Sequence, residues 1–237
     1  MNRSKVDFFT NITHEIRTPL TVITAMAESL LHSEHFPANI YNKILSIYKN
    51  TTQLRSLVTE LLDFRKQEEG KMHIKVAEYD FTDFVQQSCL LYREYASGIG
   101  VKLVCNVPEH FTSCFDMQMM QKVINNLLSN ALKHTPKGGT ITVSATHTES
   151  EAVLRVVNTG EPIPVEEIRK IFDNFYQTEH LDILKPGTGL GLALTKGIVE
   201  AHHGVINVES AAETGTVFTV LLPLSIDAFK PEERARA

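Results

Sequence analysis

The sequence predicts a two-helix hairpin that dimerises into a four-helix bundle, followed by a two-layer α/β sandwich. Two observations support this fold class. Up to residue 68, apolar residues recur at steps of three and four, which is the spacing of one face of an α-helix. From residue 72 onward, alternating segments typical of strands are mixed with helical segments, and this mixture favours helices packed on a mainly antiparallel sheet.

Two amphipathic helices are predicted in residues 1–68. The first apolar stripe consists of Phe9, Ile12, Ile16, Leu20, Ile23, Ala27 and Leu30, and the second of Ile40, Ile44, Ile47, Leu54, Val58 and Leu61. The segment HSEHFPAN between them is polar and contains a proline, which predicts a loop. Because one hairpin cannot cover its own stripes well, we expect a homodimer through these N-terminal helices.

The second predicted domain spans residues 72–226 and follows a charged hinge that contains Gly70. Strands are predicted in MHIKVAEY, VKLVCNV, both halves of GTITVSATHTESEAVLRVVNTG, GVINVES and GTVFTVLLPL. Helices are predicted after Asp80 and Asp116, which have the character of N-caps, and in GLGLALTKGIVEAHH. The charged residues 227–237 are expected to be a tail or a truncated linker.

Composition excludes several classes of protein. A net charge of -5 does not favour electrostatic binding to nucleic acid, which is itself negatively charged. No apolar run is long enough to span a bilayer, and no signal peptide is visible. The cysteines are three in number and far apart, which suits neither a disulfide framework nor a zinc site. We expect reduced core thiols in a cytosolic protein.

The segment NITHEIRTPL places a polar cluster on the first helix. At about 100° per residue, His14 lies roughly 160° from the centre of the apolar stripe, and Thr18 follows one turn later. An exposed histidine is usually only solvated surface. Here Glu15 can accept a proton from one imidazole nitrogen and leave the other as a nucleophile, and Pro19 can bend the helix.

A second polar cluster lies in NNLLSNALKHT. Asn126 and Asn130 are one helical turn apart, and Lys133 and His134 follow on that side. Two asparagines at this spacing are usually a polar helix face, but their carbonyl oxygens can also ligate Mg²⁺, and lysine offers a charge for phosphate.

A glycine-rich run, KPGTGLGLAL, opens a predicted helix. Glycines allow close backbone approach, and a helix N-terminus attracts anions. No βαβ unit surrounds this run, which disfavours a dinucleotide-binding fold.

Together these segments resemble the bacterial sensor histidine kinases of the HisKA type, over roughly residues 5–224. FFTNITHEIRTPLT is similar to the H box of that family. The resemblance implies that His14 is the phosphoacceptor and Glu15 its base. It also implies that Thr18 orients water in the reverse phosphatase reaction.

NNLLSNALKHT resembles the N box of the same family. The resemblance implies that Asn130 binds Mg²⁺ and that Asn126 lies near the phosphates and acts in catalysis. Lys133 and His134 would then contact the nucleotide.

The remaining segments resemble the other boxes of a Bergerat-type ATP-binding domain. KPGTGLGLAL is similar to the G2 box, which implies a phosphate cradle of Gly187, Thr188, Gly189, Leu190, Gly191 and Leu192. IFDNFYQ resembles the F box, with Phe175 and Tyr176 near the nucleotide, while Phe172 is expected in the core. The segment TEHLDILKP would be the lid over ATP, and Thr216 would reach adenine through water.

The G1 box is where the sequence departs from the family. D-x-G-x-G is usual there, and this chain has NTGEPIP, so Asn158 replaces the aspartate and Pro162 the second glycine. An asparagine carbonyl can still accept the hydrogen bond from the adenine amino group, without the assistance of a charge. Gly160 remains, and Ile163 can pack on the base.

The implied function is ATP-dependent autophosphorylation of His14 with Mg²⁺, followed by transfer to an aspartate of a response-regulator receiver domain, with phosphatase activity. One alternative is a degenerate kinase that acts as a non-enzymatic signalling scaffold, supported only by Asn158 and Pro162. A second is a serine kinase of the anti-sigma type, against which the H box and the helix pair argue. We expect the cytoplasmic part of an inner-membrane receptor, attached to the membrane only through segments absent from this sequence.

Overall fold

The computed structural model describes residues 3–32, 36–70, 72–107, 110–176 and 189–235, with side chains from Ile16 onward. The chain divides into two units, Met1–Gly70 and Lys71–Ala237. The order of elements, helices first and then a mixed α/β region, confirms the predicted fold class.

The first unit consists of two long helices packed against each other, α1 (Arg3–His32) and α2 (Ala38–Glu68). Pro37 immediately precedes α2, and its carbonyl oxygen accepts from Ile40 N at 2.9 Å and Tyr41 N at 3.1 Å. Helix α1 continues through Pro19. Within the parts of the chain that the structure describes, no helix combines the length and the apolar character needed to cross a membrane.

The apolar stripes of the two helices are only partly buried within the hairpin. Leu20 and Ala27 of α1 and Ile44 and Val58 of α2 are buried. Among the apolar residues that stay exposed, one series on each helix recurs at steps of seven: Ile16, Ile23 and Leu30 on α1, and Ile40, Ile47 and Leu54 on α2. A repeat of seven is the seam spacing of helices that pack side by side in bundles.

The second unit contains a five-stranded sheet with the order β2-β4-β5-β7-β6. The pair β2 and β4 is parallel, and the other pairs are antiparallel. Its strands are β2 (Lys102–Asn106), β4 (Thr140–His147), β5 (Glu151–Asn158), β6 (Val205–Ala211) and β7 (Gly215–Pro223). A separate antiparallel pair joins β1 (Ala77–Asp80) to β3 (Thr112–Phe115).

Helices cover one face of the large sheet. They are α3 (Phe81–Gly98), α4 (Met117–His134), the single turn α5 (Val165–Ile168) and α6 (Gly191–Ala201). Alternate residues of the central strands point into the shared core, as in the buried series Ile141, Val143 and Ala145 of β4 and Phe218, Val220 and Leu222 of β7. This arrangement is the two-layer sandwich that the mixed pattern predicts.

Both predicted aspartate caps are confirmed. Asp80 Oδ1 accepts from Asp83 N at 2.8 Å at the start of α3, and this bond is the main cause that lowers the pKa of Asp80. At the start of α4, Asp116 Oδ1 accepts from Gln118 N at 3.0 Å and Met119 N at 3.1 Å. Each cap satisfies backbone donors of the first turn that have no acceptor within the helix.

Two elements differ from the expectation. The segment predicted as a strand from Met72 to Tyr79 is regular only from Ala77, and its neighbour in space is β3, which the sequence did not predict. Strand β3 has four residues, too short to show a periodicity of its own, and it forms because β1 lies beside it.

The end of the chain, expected to be a tail or a truncated linker, packs on the second unit as far as Ala235. Phe229 is 2% exposed and lies in a small cluster with Ile74 and Val76. Val76 N donates to Glu233 O at 2.7 Å, and Ala235 N donates to Val76 O at 2.8 Å. The charged composition predicted a solvated segment, but one buried aromatic residue and two backbone bonds hold it in place.

All three cysteines are free. Cys89 and Cys114 are buried, while Cys105 on β2 is half-buried. A hydrogen bond between the thiols of Cys89 and Cys105 lowers the pKa of Cys105 to about 7, and it raises the pKa of Cys89.

Candidate functional site

The segment NITHEIRTPL lies within α1. The backbone of His14 and Glu15 is helical, and their side chains lie outside the described part of the structure. One turn after position 14, Thr18 is exposed, whereas Leu20 on the other side of the helix is buried. By helical spacing, position 14 is predicted to lie on the same side as Thr18.

Helix α4 separates an apolar face from a polar one. Its inward residues Met120, Val123, Ile124, Leu127, Leu128 and Ala131 are buried in the core. Asn126, Asn130 and Lys133 follow one another along the opposite edge, and all three are half-buried. His134, also half-buried, is the last residue of the helix. The helix thus presents amide and amine groups together at the border of the core.

Asn126 connects α4 to the start of α6. Its Nδ2 donates to Gly191 O at 3.1 Å and to Thr195 Oγ1 at 3.3 Å. A Cβ added at Gly191 would lie 3.6 Å from Asn126 Cγ, an ordinary van der Waals distance, so Asn126 packs directly against the backbone there. The structure therefore brings the asparagine helix and the glycine-rich helix start together.

Asn158 ends β5 in a buried position, with 4% of its surface exposed. Its Nδ2 donates to Thr159 O at 3.4 Å, and it lies opposite the buried Thr216 in the β5–β7 register. The hydroxyls of Thr216 and Ser210 are 2.7 Å apart, and Ser210 Oγ accepts from Ile163 N at 2.9 Å. Bonds through Ser210 thus connect Thr216 to the backbone of Ile163, and the strand register places Asn158 beside Thr216.

Two glycines are required where the loop after β5 passes other backbone segments. Gly160 has a φ of +154°, and a Cβ there would lie 2.5 Å from His134 O at the end of α4. Gly215 has a φ of +73°, and its Cβ would lie 2.2 Å from Asn158 O. The absence of these Cβ atoms lets the loop lie directly beside α4 and β7.

The F-box aromatics have different environments. Phe172 packs on the core, edge-on to Phe218 with ring centroids 6.4 Å apart, as expected. Phe175 is 60% exposed and has a φ of +63°. Its N donates to Gly189 O at 3.0 Å, so the F box contacts the glycine-rich segment. Tyr176 is half-buried against the core.

The structure leaves part of the predicted cradle undescribed. Gly187 and Thr188, together with the predicted lid TEHLDILKP, lie outside the described residues. Gly189, Leu190, Gly191 and Leu192 are described and lead into α6. Gly189 has a φ of +70°, and a Cβ there would lie 2.6 Å from the carbonyl carbon of Phe175.

Two residues of the site were not predicted from the sequence. Ser210 faces Thr216 from β6, and only its alternation with Val208 and Ile206 gave a signal that it faces inward. Thr195 lies on the buried face of α6, where the helical pattern predicts a core residue. Neither belongs to a recognisable box, so contacts across the fold were needed to find them.

The comparisons with known proteins match both units. Residues 4–70 match the His Kinase A (phospho-acceptor) domain, and residues 115–226 match the histidine kinase-, DNA gyrase B- and HSP90-like ATPase. The chain is 33% identical over 229 residues to Histidine kinase P4 of Formosa agariphila, covering 94% of this chain and 17% of that protein. It is 30% identical over 225 residues to Sensor protein SrrB of Staphylococcus aureus, covering 94% of this chain and 39% of that protein.

A solved structure shows the same fold. Full-length ShkA in complex with AMPPNP has a TM-score of 0.78 and 24% identity, over 92% of this chain and 46% of that one. The chain belongs to the histidine kinase family. It spans well under half the length of the curated relatives that it matches.

Proposed function

We propose that the chain catalyses autophosphorylation of His14 from ATP. The observation that supports this most directly is the convergence of Asn158, Thr216, Gly160, Asn126 and the start of α6 within the unit that matches the ATPase model. The other unit matches the phospho-acceptor model and carries His14. One chain thus holds both the acceptor motif and a nucleotide cradle.

The proposed roles follow from the chemistry of each group. One imidazole nitrogen of His14 attacks the γ-phosphorus, the bond to the β–γ bridging oxygen breaks, and ADP leaves. Glu15 accepts the proton from the other nitrogen. In the second unit, the amino group of Lys133 offsets phosphate charge, and the backbone N–H groups at the start of α6 donate to phosphate oxygens.

The residues present suit Mg²⁺ and adenine. Mg²⁺ is usually held by one or two protein oxygens together with phosphates and water, and the half-buried Asn130 on α4 offers such an oxygen. When bound there, the ion would neutralise charge on the transferred phosphoryl group. Asn158 and Thr216 would read the adenine edge, with Ile163 packed on the base. His134, Phe175, Tyr176 and the residues from Gly187 to Leu192 would complete the cradle.

A single incubation tests the reaction. The chain is mixed with ATP labelled at the γ-phosphate, with Mg²⁺ or with a chelator, and the product is treated with acid or base. We expect label that is stable to base and lost in acid, because a phosphoramidate hydrolyses in acid. Label should be absent when the chelator removes Mg²⁺, because the ion is proposed to neutralise charge on the transferred phosphoryl group. Acid-stable label would indicate a hydroxyl acceptor and the serine kinase alternative, and no label would favour the scaffold.

We also propose a homodimer through α1 and α2. The exposed series at steps of seven on both helices leaves an apolar surface that a second hairpin would cover. Light scattering should give twice the mass of the chain, and a concentration-independent monomer would contradict this proposal.

The phosphoryl group is proposed to pass to an aspartate of a response-regulator receiver domain, with Thr18 serving the reverse phosphatase reaction. Thr18→Ala is expected to slow dephosphorylation of the regulator more than tenfold while autophosphorylation stays within about twofold, since the hydroxyl orients water and takes no part in attack on ATP. Both rates are measured with a purified receiver domain. Thr18→Ser, which keeps the hydroxyl, is the control, and equal losses in both reactions would contradict this role.

Asn158→Asp is expected to strengthen ATP binding about fivefold, because a hydrogen bond to a charged acceptor is worth about 1 kcal/mol more than a neutral one. The buried position opposes this gain, since burying a carboxylate is unfavourable when ATP is absent. We therefore expect lower thermal stability of the empty protein together with tighter binding.

Calorimetric titration with an ATP analogue and with GTP measures the effect of Asn158→Asp. Discrimination against GTP should sharpen, because GTP presents a carbonyl where ATP has the amino group. Weaker ATP binding with no sharper discrimination would show that Asn158 does not read adenine, and it would favour the scaffold alternative.

A further inference from the structure

Thr195 is a fully buried threonine one turn after Gly191 on α6, with 0% of its surface exposed. Its hydroxyl donates to Gly191 O at 2.9 Å and accepts from Asn126 Nδ2 at 3.3 Å. Asn126 Nδ2 also donates to Gly191 O at 3.1 Å. The three groups form a closed network that joins the first turn of α6 to α4.

The network determines which way the Asn126 amide points. Gly191 O can only accept, and the Thr195 hydroxyl already uses its hydrogen on Gly191 O, so both groups that face Asn126 are acceptors. The NH₂ side of the amide must therefore face them. The network thus holds the amide nitrogen against the start of α6, and it directs the carbonyl oxygen of Asn126 away from that helix.

Helices α4 and α6 pack against each other, and the network lies at the end of this contact where α6 begins and the candidate site is located. Near the other end, Asp116 N at the start of α4 donates to Nε2 of the buried His202 at 3.0 Å. His202 Nδ1 in turn donates to Ile198 O at 2.7 Å, and burial lowers the pKa of His202, which keeps it a neutral acceptor. Apolar packing through residues such as Leu127, Leu194 and Ile198 fills the space between.

We propose that Thr195 is a positioning residue for nucleotide binding. Its hydroxyl orients the Asn126 amide, and together they set the distance between the phosphate-binding start of α6 and Asn130, one turn further along α4. This inference rests on the proposed function of the site. It differs from a direct phosphate contact by Asn126, because here the asparagine nitrogen acts by fixing the start of α6 against α4.

The substitution Thr195→Val tests the proposal, because valine keeps the shape of threonine and removes only the hydroxyl. Asn126 Nδ2 then loses one of its two acceptors, and the start of α6 is held less firmly. We expect the Kd for a non-hydrolysable ATP analogue with Mg²⁺ to rise about five- to tenfold, the loss expected for one buried hydrogen bond. The KM for ATP should rise in parallel, with a smaller change in kcat.

Two further variants separate positioning from stability. Thr195→Ser keeps the hydroxyl and should restore binding to within about twofold of the unchanged chain. Thr82→Val makes the same change at another buried threonine, on α3, whose Oγ1 accepts from Phe111 N at 3.2 Å. It should lower the melting temperature without changing the Kd.

The outcomes are distinct. Analogue binding by Thr195→Val as tight as that of the unchanged chain, or a serine variant as weak as the valine one, would overturn the proposal. If the valine variant does not fold, Thr195→Ala is measured in the same way. An unchanged chain that binds the analogue but forms no phosphohistidine would refute the proposed kinase reaction, and the Kd values would still decide the role of Thr195. An unchanged chain that binds no analogue would overturn both.

Discussion

His14→Gln is expected to abolish autophosphorylation to the background of the assay while leaving ATP binding unchanged. Glutamine keeps a polar side chain at a position that helical spacing predicts on the exposed side of α1, so the fold should be unaffected. Its amide nitrogen is not a nucleophile, because the lone pair is delocalised, so no phosphoramidate forms. The residues proposed to bind ATP all lie in the second unit, which the substitution does not touch.

The matched control is His32→Gln, the same substitution on the same helix. His32 is exposed, and its Nδ1 donates to Glu28 O at 2.8 Å within the last turn. This variant should incorporate label at the rate of the unchanged chain. Acid-labile label on His14→Gln, or equal loss in both variants, would show that His14 is not the acceptor.

Gly160→Ala is expected to weaken ATP binding by more than about tenfold. The added Cβ would lie 2.5 Å from His134 O, a distance at which the backbone must shift, and the φ of +154° is one that L residues rarely adopt. Such strain costs roughly 1–3 kcal/mol, which corresponds to about five- to 150-fold in affinity if it is relieved by moving the loop away from α4. The loop carries Asn158 and Ile163 at its two ends, so the adenine-reading groups would move with it.

Gly138→Ala is the control that distinguishes the effect of a positive φ from the effect of a close contact with the added Cβ. Gly138 also has a positive φ, of +87°, but a Cβ there would meet nothing within 4 Å. We expect this variant to lose some thermal stability and to bind an ATP analogue within about threefold of the unchanged chain. Calorimetry on both variants measures the difference. If the two bind equally well, the approach of Gly160 to α4 does not shape the site.

Features set by neighbours along the chain could be predicted from the sequence. The caps at Asp80 and Asp116 depend on bonds to amides two or three residues away, and both are present in the structure. The helical spacing of Asn126, Asn130 and Lys133 follows from 3.6 residues per turn. The resemblance to a family implied a glycine at position 160. The structure gives the physical reason, because a Cβ there would collide with the carbonyl oxygen of His134.

Features that depend on segments distant in the chain could not be predicted in this way. The hairpin divides each predicted stripe, burying Leu20 and Ala27 and leaving Ile16 and Ile23 exposed, because the second helix covers only part of the arc. Strand β3 exists because β1 lies beside it. The packed end of the chain depends on a site for Phe229 that Ile74 and Val76 build, more than 150 residues earlier in the sequence.

The same distinction between local and long-range features applies to the candidate site. The residue types at each box, including the neutral Asn158 where an aspartate is usual, can be read from the sequence, because those identities and spacings are local. What the Asn126 amide does depends on the fold, since its orientation is set by Gly191 and Thr195, which lie 65 and 69 residues further along the chain. A hydrogen bond between groups so far apart leaves no periodicity in the sequence, because it depends on how α4 and α6 pack.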